Sequence, residues 1–285
     1  MACRTMPFYE CRQGIYEIDE FDCTEVFVIV GEERALVVDT GTGIGDLKGL
    51  IEERITDKPY DVVLTHNHVD HMGGAGWFDK VYIHPYDMEH PDPTFPPALE
   101  GRKLFAGVIR EGSGKYYAYT EEDIRPWPKE PEMLPLRDGQ IFDLGGRKVT
   151  VWFCPGHTNG EVVLIDDLSR TLICGDACNG NWLFDCSMSE DPRESAKTAV
   201  EALKRIYNMR DQYDVMINSH HDFRGYGSPL PDDMLPNLIT LMEQVLSGDA
   251  QFEDIPDALH PGKVITIARY KNVYANLVGR NIREM

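Results

Sequence analysis

Positive charge is scarce in this chain. Twenty-eight lysines and arginines stand against 48 aspartates and glutamates, a net charge of −20. A nucleic-acid binder normally presents a basic face, and anionic membrane surfaces attract one, so neither partner is expected. Long apolar runs are also missing. No stretch of about 18 apolar residues occurs, and the opening Met1-Ala2-Cys3-Arg4-Thr5-Met6-Pro7 lacks the apolar core of a secretion signal. A soluble, cytoplasmic protein is therefore the expectation. Paired cysteines are missing as well: Cys3, Cys11, Cys23, Cys154, Cys174, Cys178 and Cys186 form an odd set without a CxxC pair. Reduced thiols, several of them buried in strands, fit this better than a disulfide framework.

What is present is enough apolar sequence to build a core, at 42% of 285 residues, and we read residues 1–285 as one domain. Gly14–Ile18, Glu25–Val30 and Ala35–Asp39 read as successive strands, and Asp46–Thr56 as a helix with Leu47, Leu50, Ile51 and Ile55 on one side. Lys80–His84 is a further short strand that His84 ends. Prolines at 85, 91, 93, 96, 97, 126, 128, 131 and 135 then argue against long helices or central strands, so an irregular Pro-rich insertion is expected at about 85–135, with His90 solvated. Strands are predicted again at Gln140–Leu144, Lys148–Phe153, Glu161–Asp166, Thr171–Cys174 and Asp214–Asn218, and closing strands at Val264–Ala268 and Val273–Ala275. Asp191-Pro192 starts a helix whose apolar face runs from Ala196 to Tyr207, and Pro231–Leu246 is a second amphipathic helix.

The densest chemistry lies at Thr65-His66-Asn67-His68-Val69-Asp70-His71, directly after the apolar run Val62-Val63-Leu64. A strand that ends in so many nitrogen and oxygen donors can hold a divalent metal. At a period of two, His66 and His68 point the same way, and Asp70 and His71 turn to a neighbouring position. Gly73-Gly74 behind them suits a tight turn. Three other apolar runs also end in a potential ligand: His157, Asp176 and His220. A lone histidine or aspartate after a glycine is often only a turn or cap residue; strand ends along one sheet edge, however, converge in space. Asp39-Thr40-Gly41-Thr42-Gly43 has neither GxxxxGK[ST] nor Rossmann spacing, so Asp39 reads as a support for the metal loop rather than part of a phosphate cradle. Cys178, close after Asp176, is a further candidate near the metal.

With these motifs in order over about residues 14–225, the sequence resembles the metallo-β-lactamase-fold superfamily of hydrolases. The marks are HxHxDH at His66–His71, the early Asp39-Thr40-Gly41 turn, Gly156-His157-Thr158, Gly175-Asp176 and a final histidine after a strand. The resemblance implies an α/β protein with a four-layer αββα sandwich, two mixed sheets face to face with helices outside. It also implies two divalent metal ions at one edge. Carried over by position, His66, His68 and His157 bind the first ion, Asp70, His71 and His220 the second, and Asp176 bridges them. The donors suit Zn²⁺, with Fe or Mn compatible. The family's last histidine usually follows glycine; here Ser219 precedes the pair His220-His221, so register favours His220 and His221 stays in reserve.

Two such ions imply a hydrolase in which a metal-bridging hydroxide cleaves an ester, thioester, lactone or amide of a small molecule, with Asp70 orienting the water. Tyr226 is a candidate donor to an oxyanion, with packing as its other reading, and Trp182 and Phe184 are expected to line an apolar wall. GxSxG is absent, so Ser219 is not read as a nucleophile. Exported β-lactamases are disfavoured by the missing signal, nucleases by the charge, and diiron redox members by His68, where they generally carry glutamate. Glyoxalase-II-like thioesterases share the ligand set, but Arg269, Lys271, Arg280 and Arg283 are too spread out to form a glutathione cluster. A small ester, thioester or lactone is the expected substrate. The alternatives are a phosphodiesterase or a metal-binding module without turnover, and a homodimer is compatible with the sequence.

Overall fold

The first sheet grows from the strands nearest the N-terminus: β1 (Phe8–Arg12), β2 (Ile15–Asp19), β3 (Glu25–Val30), β4 (Ala35–Val38), β5 (Tyr60–Val63), β6 (Lys80–Ile83) and β7 (Glu132–Pro135). They lie side by side in chain order, antiparallel from β1 to β4 and parallel from β4 to β7. The computed structural model describes residues 6–92, 96–113, 119–185, 187–220, 224–257, 262–278 and 280–285. A second sheet holds β8 (Ile141–Asp143), β9 (Lys148–Phe153), β10 (Val162–Asp166) and β11 (Thr171–Ile173). The strand β12 (Asn181–Phe184) leaves it, and β13 (Val215–Ile217) returns to pair in parallel with β11. Strands β14 (Gln251–Pro256), β15 (Val264–Tyr270) and β16 (Val273–Leu277) join β12 in a third sheet that the sequence reading did not anticipate.

The layers follow from the alternation of side chains along the strands. In β3, Phe27 and Ile29 enter the core between the two large sheets, facing Val151, Val162 and Leu164. Val26 and Val28 point the other way, toward α1 (Leu47–Leu50), α2 (Val69–Met72) and α4 (Leu99–Ser113). Beyond the second sheet, α5 (Pro192–Asn208) and α6 (Met234–Ser247) bury Ala196, Leu203, Leu238 and Met242. The third sheet closes the same core with Ala268 and Ala275. This is the expected αββα order with a small sheet added to one outer layer. No helix among the described residues is long and apolar enough to cross a membrane.

The expected irregular insertion at 85–135 is corrected. It contains α3 (Pro85–Glu89), the 15-residue α4 and strand β7. The prolines cluster at its two ends and leave residues 98–125 free of them, which is room for a helix. Pro135 is tolerated because β7 is an edge strand, where a missing N–H breaks no ladder. Asp191 caps α5 by accepting the Arg193 amide at 2.9 Å, with Pro192 in the first helical turn.

Candidate metal centre

Five strands carry the polar groups to one edge. The loops that follow β4, β5, β9, β11 and β13 carry Asp39, His66, His157, Asp176 and His220 respectively. Asp39 sits at φ 66°, a left-handed conformation unusual outside glycine. Its carboxylate is fully used: it accepts the Thr65 amide at 2.7 Å, the Thr65 hydroxyl at 2.9 Å and His71 Nδ1 at 2.8 Å. The support role expected for Asp39 is thus visible as a clamp on the histidine loop. Gly73 and Gly74 have ordinary negative φ values, −62° and −91°. The chain turns there as expected, at a point where a side chain would collide: a Cβ on Gly73 would lie 2.4 Å from the Thr42 carbonyl, and one on Gly74 2.2 Å from that of Thr40.

The histidine rings are held by their outer nitrogens, so their inner ones converge. His71 Nδ1 donates to Asp39, and His157 Nδ1 donates to the Leu183 carbonyl at 2.9 Å. His66 Nδ1 lies 3.0 Å from the Thr65 hydroxyl and 3.2 Å from the buried carboxylate of Glu161. Each of these contacts turns Nε2 toward the cluster, the arrangement that fixes a ligand histidine's tautomer. There, His66 Nε2 and His157 Nε2 come within 3.0 and 2.8 Å of His68 Nδ1. Asp176 lies between the two groups: Oδ2 is 3.5 Å from His157 Nε2 and 3.2 Å from His220 Nε2, and Oδ1 is 3.7 Å from His71 Nε2. Asp70 Oδ2 is 3.5 Å from both His71 Nε2 and His220 Nε2.

Three trios of donor atoms result, each compact enough for one ion: His66, His68 and His157; Asp70, His71 and His220; and His66, His71 and Asp176. Two atoms test the fit. His71 Nε2 and Asp176 Oδ1 are buried with no hydrogen-bond partner, and an orphaned buried polar atom is costly unless something else completes it. A cation between them would do so. Electrostatics separates the halves of the site. Burial, then the neighbouring rings, lowers His66 well below the usual histidine range, and burial lowers His157 to about 3. Burial also opposes charge on His71 and His220, but there the carboxylates win. Asp70, Asp39 and Asp176 raise His71 well above its usual value, and Asp176 and Asp70 bring His220 to about 10. Burial thus keeps charge off His66 and His157, whereas the carboxylates around His71 and His220 favour positive charge at that end, which suits a cation.

Other candidates fall elsewhere. Tyr226 is corrected: its hydroxyl lies 2.9 Å from the Pro7 carbonyl and 3.2 Å from that of Glu17, so its single proton is engaged there, beside β1 and β2. Trp182 and Phe184 line no open wall; they stack 5.4 Å apart within the core, fully buried. Cys178 lies in the same core. His84 caps α3 by accepting the Tyr86 amide, and exposed His90 stacks on Tyr86. His221 lies outside the described residues. Two acidic residues escaped the sequence reading. Glu161, at the entrance of β10, reaches His66 and also accepts the Asp176 amide at 3.1 Å. Asp87, on α3, contacts two of the ligand loops. A carboxylate opening the apolar run Val162–Ile165 was a readable signal for Glu161; Asp87 carried none.

Comparison with known proteins adds four findings. A family model described as the metallo-beta-lactamase superfamily matches residues 24–181, more than half of the chain. Acyl-coenzyme A thioesterase MBLAC2 of Homo sapiens is 30% identical over 179 residues, 56% of this chain and 60% of that protein, so the chain spans less than two thirds of that relative's length. The atrochrysone carboxyl ACP thioesterase dmxR1 of Cryptosporiopsis sp. is 28% identical over 162 residues, 55% of this chain and 39% of that protein. Among solved structures, a metallo-beta-lactamase family protein from Thermus thermophilus superposes with a TM-score of 0.54 at 19% identity, covering 82% of this chain and 81% of that one.

Proposed function

The chain belongs to the metallo-beta-lactamase superfamily, and from that footing we propose that it is a metal-dependent hydrolase of acyl thioesters. The observation that carries this reading is the inward convergence of His66, His68, Asp70, His71, His157, Asp176 and His220, with His71 Nε2 and Asp176 Oδ1 left unpartnered. His66, His68 and His157 would hold one divalent cation, and Asp70, His71 and His220 a second, with Asp176 reaching both. Zn²⁺ suits this mixture of imidazole and carboxylate, and Fe or Mn is compatible with it. Bound there, such ions supply Lewis acidity and lower the pKa of water toward about 7.

The side chains do the rest. The outer contacts of His66, His71 and His157 aim their Nε2 atoms inward, and burial keeps His66 and His157 unprotonated there. Asp70 is buried, yet the neighbouring His71 and His220 hold its pKa below the usual carboxylate range, so Oδ2 stays an acceptor that can orient a water by its proton. Ser219 Oγ donates to Asp39 Oδ2 at 3.4 Å, and among the described residues no histidine is hydrogen-bonded to it as an activating base.

Two observations favour a thioester over other acyl bonds. Two relatives carry thioesterase in their names. With Tyr226 engaged by Pro7 and Glu17, that hydroxyl does not stand ready to protonate an alkoxide; a thiolate, whose conjugate acid has a pKa of about 8.5, leaves without help. Purified, metal-loaded protein should be offered acyl-coenzyme A and acyl-N-acetylcysteamine thioesters, with thiol release as readout, beside p-nitrophenyl esters, lactones and bis-p-nitrophenyl phosphate. The uncharged thioesters matter because a chain of net charge −20 repels the phosphates of coenzyme A. Thiol release that His68→Ala abolishes supports the proposal. Cleavage of the lactones or the phosphodiester without thiol release overturns it.

A further inference from the structure

We propose that Asp87 is a positioning residue that sets the three-histidine half of the site by tying together the two loops that build it. This rests on the reading of the cluster as a metal centre. Asp87 lies on α3, outside every motif that marks the ligands, and its carboxylate is buried. Oδ2 accepts the Asn67 amide at 3.0 Å and the Thr158 hydroxyl at 3.1 Å. The Gly160 amide donates to the same carboxylate, and a Cβ on Gly160 would sit 2.2 Å from Oδ1, so the loop is folded tightly against it. Asn67 lies between His66 and His68. Thr158 and Gly160 follow His157, which is 89 residues from His68 in sequence.

The pattern of supports makes the assignment specific. Asp39 holds the loop at Thr65 and His71. His157 is anchored separately through Leu183. Asp87 contacts both the His66–His68 loop and the His157 loop, so it fixes the gap across which His157 Nε2 comes to 2.8 Å from His68 Nδ1. The chemistry of the contact calls for a carboxylate. All three partners are donors; burial raises Asp87 to about 7, and in its ionised form the carboxylate offers acceptors on both oxygens and nothing to donate, whereas asparagine would turn an NH₂ toward one of those N–H or O–H groups at any pH. An apolar residue would bury at this point of α3 without the desolvation penalty that a carboxylate carries, so helix packing alone does not call for one.

The test is metal binding by the full chain. Wild-type protein, Asp87→Asn, Asp87→Ala and Asp87→Glu are stripped and titrated with Zn²⁺ against a chromophoric chelator, with ¹⁵N-resolved histidine spectra recorded at each equivalent. Near-ultraviolet circular dichroism of the stripped forms checks the fold, and Asp87→Asn, close to isosteric, carries the test if Asp87→Ala unfolds. Wild-type protein should take two equivalents. In Asp87→Asn one equivalent should keep its affinity while the other weakens about 10–100-fold, the range for losing a support behind a ligand. The His157 and His68 signals should stay at metal-free positions while those of His220 move, and Asp87→Glu should recover part of the loss. Two undisturbed affinities in Asp87→Asn and Asp87→Ala overturn the inference alone. Weakening that falls instead on the His220 signals overturns it too. Wild-type protein that binds no Zn²⁺ overturns the metal reading and this inference with it.

Discussion

At the scale of single residues, the cluster is governed by groups one step behind the ligands. Glu161 Oε2 faces His66 Nδ1, and Oε1 holds the amide of Asp176, so one buried carboxylate steadies a ligand of each kind. Glu161→Gln would turn an amide NH₂ toward one of those donors. We expect Zn²⁺ affinity to fall about 10–100-fold, with His66 showing mixed tautomers in ¹⁵N spectra; unchanged affinity would deny Glu161 that role. Glu20 raises a different question. It is fully buried and accepts the amides of Thr42, Gly43 and Ile44 at 2.5–2.9 Å, yet burial outweighs them and moves it up to about 7 from 4.5. The folded state therefore binds the proton more tightly than the unfolded chain, and Glu20 makes stability fall as pH rises from about 4.5 to about 7, levelling off above. Guanidinium midpoints of metal-free protein at pH 5 and pH 7.5 should differ less in Glu20→Gln than in the wild type; equal differences would contradict this. At this scale the ligands were legible because histidine is rare here, with nine in the chain and three of them within six residues. Asp87 was not, since a lone acidic residue acquires meaning only from partners distant in sequence, and Glu161 was marked only by its place at the head of an apolar run.

Among the elements, the segment between Pro97 and Trp127 shows how a part read as irregular comes to brace the site. Phe105 and Ala106 of α4 share a core with Val69 and Met72 of α2, the short helix that carries Asp70 and His71. Arg102 reaches the Pro97 and Arg125 carbonyls and lies over the rings of Trp77 and Trp127. Trp127 Nε1–H then donates to the Gly73 carbonyl at 2.6 Å, just behind α2. Trp127→Phe keeps most of the ring and removes that donor, so unfolding free energy should drop by about 1–2 kcal/mol, measured by guanidinium titration, with both metal equivalents retained. Helix α5 was readable because Asp191-Pro192 is a local start signal. Strands β12 and β14 were not: β12 is only four residues long behind the Asn179-Gly180 bend, and β14 is a largely exposed edge strand with little apolar alternation. Their pairing with β16 and β15 is a tertiary fact that short windows of sequence do not carry.

For the molecule as a whole, two stacked sheets bring strand ends from 39 to 220 to one edge, where four buried acidic residues, Asp39, Asp70, Glu161 and Asp176, gather. A site with this much buried carboxylate should draw stability from its cations. Ligand present at about 1,000 times its dissociation constant adds about 4 kcal/mol per site, so chelation should lower the melting temperature, and readdition of Zn²⁺ should restore it. An unchanged melting curve would mean that the cluster is satisfied without metal. The most direct measurement is anomalous diffraction at the zinc absorption edge from crystals of the full chain grown with Zn²⁺. Two anomalous peaks are expected, one bounded by His66, His68 and His157 and the other by Asp70, His71 and His220, with Asp176 against both. A single peak, or none within reach of these side chains, would contradict the two-cation site on which the proposed chemistry rests.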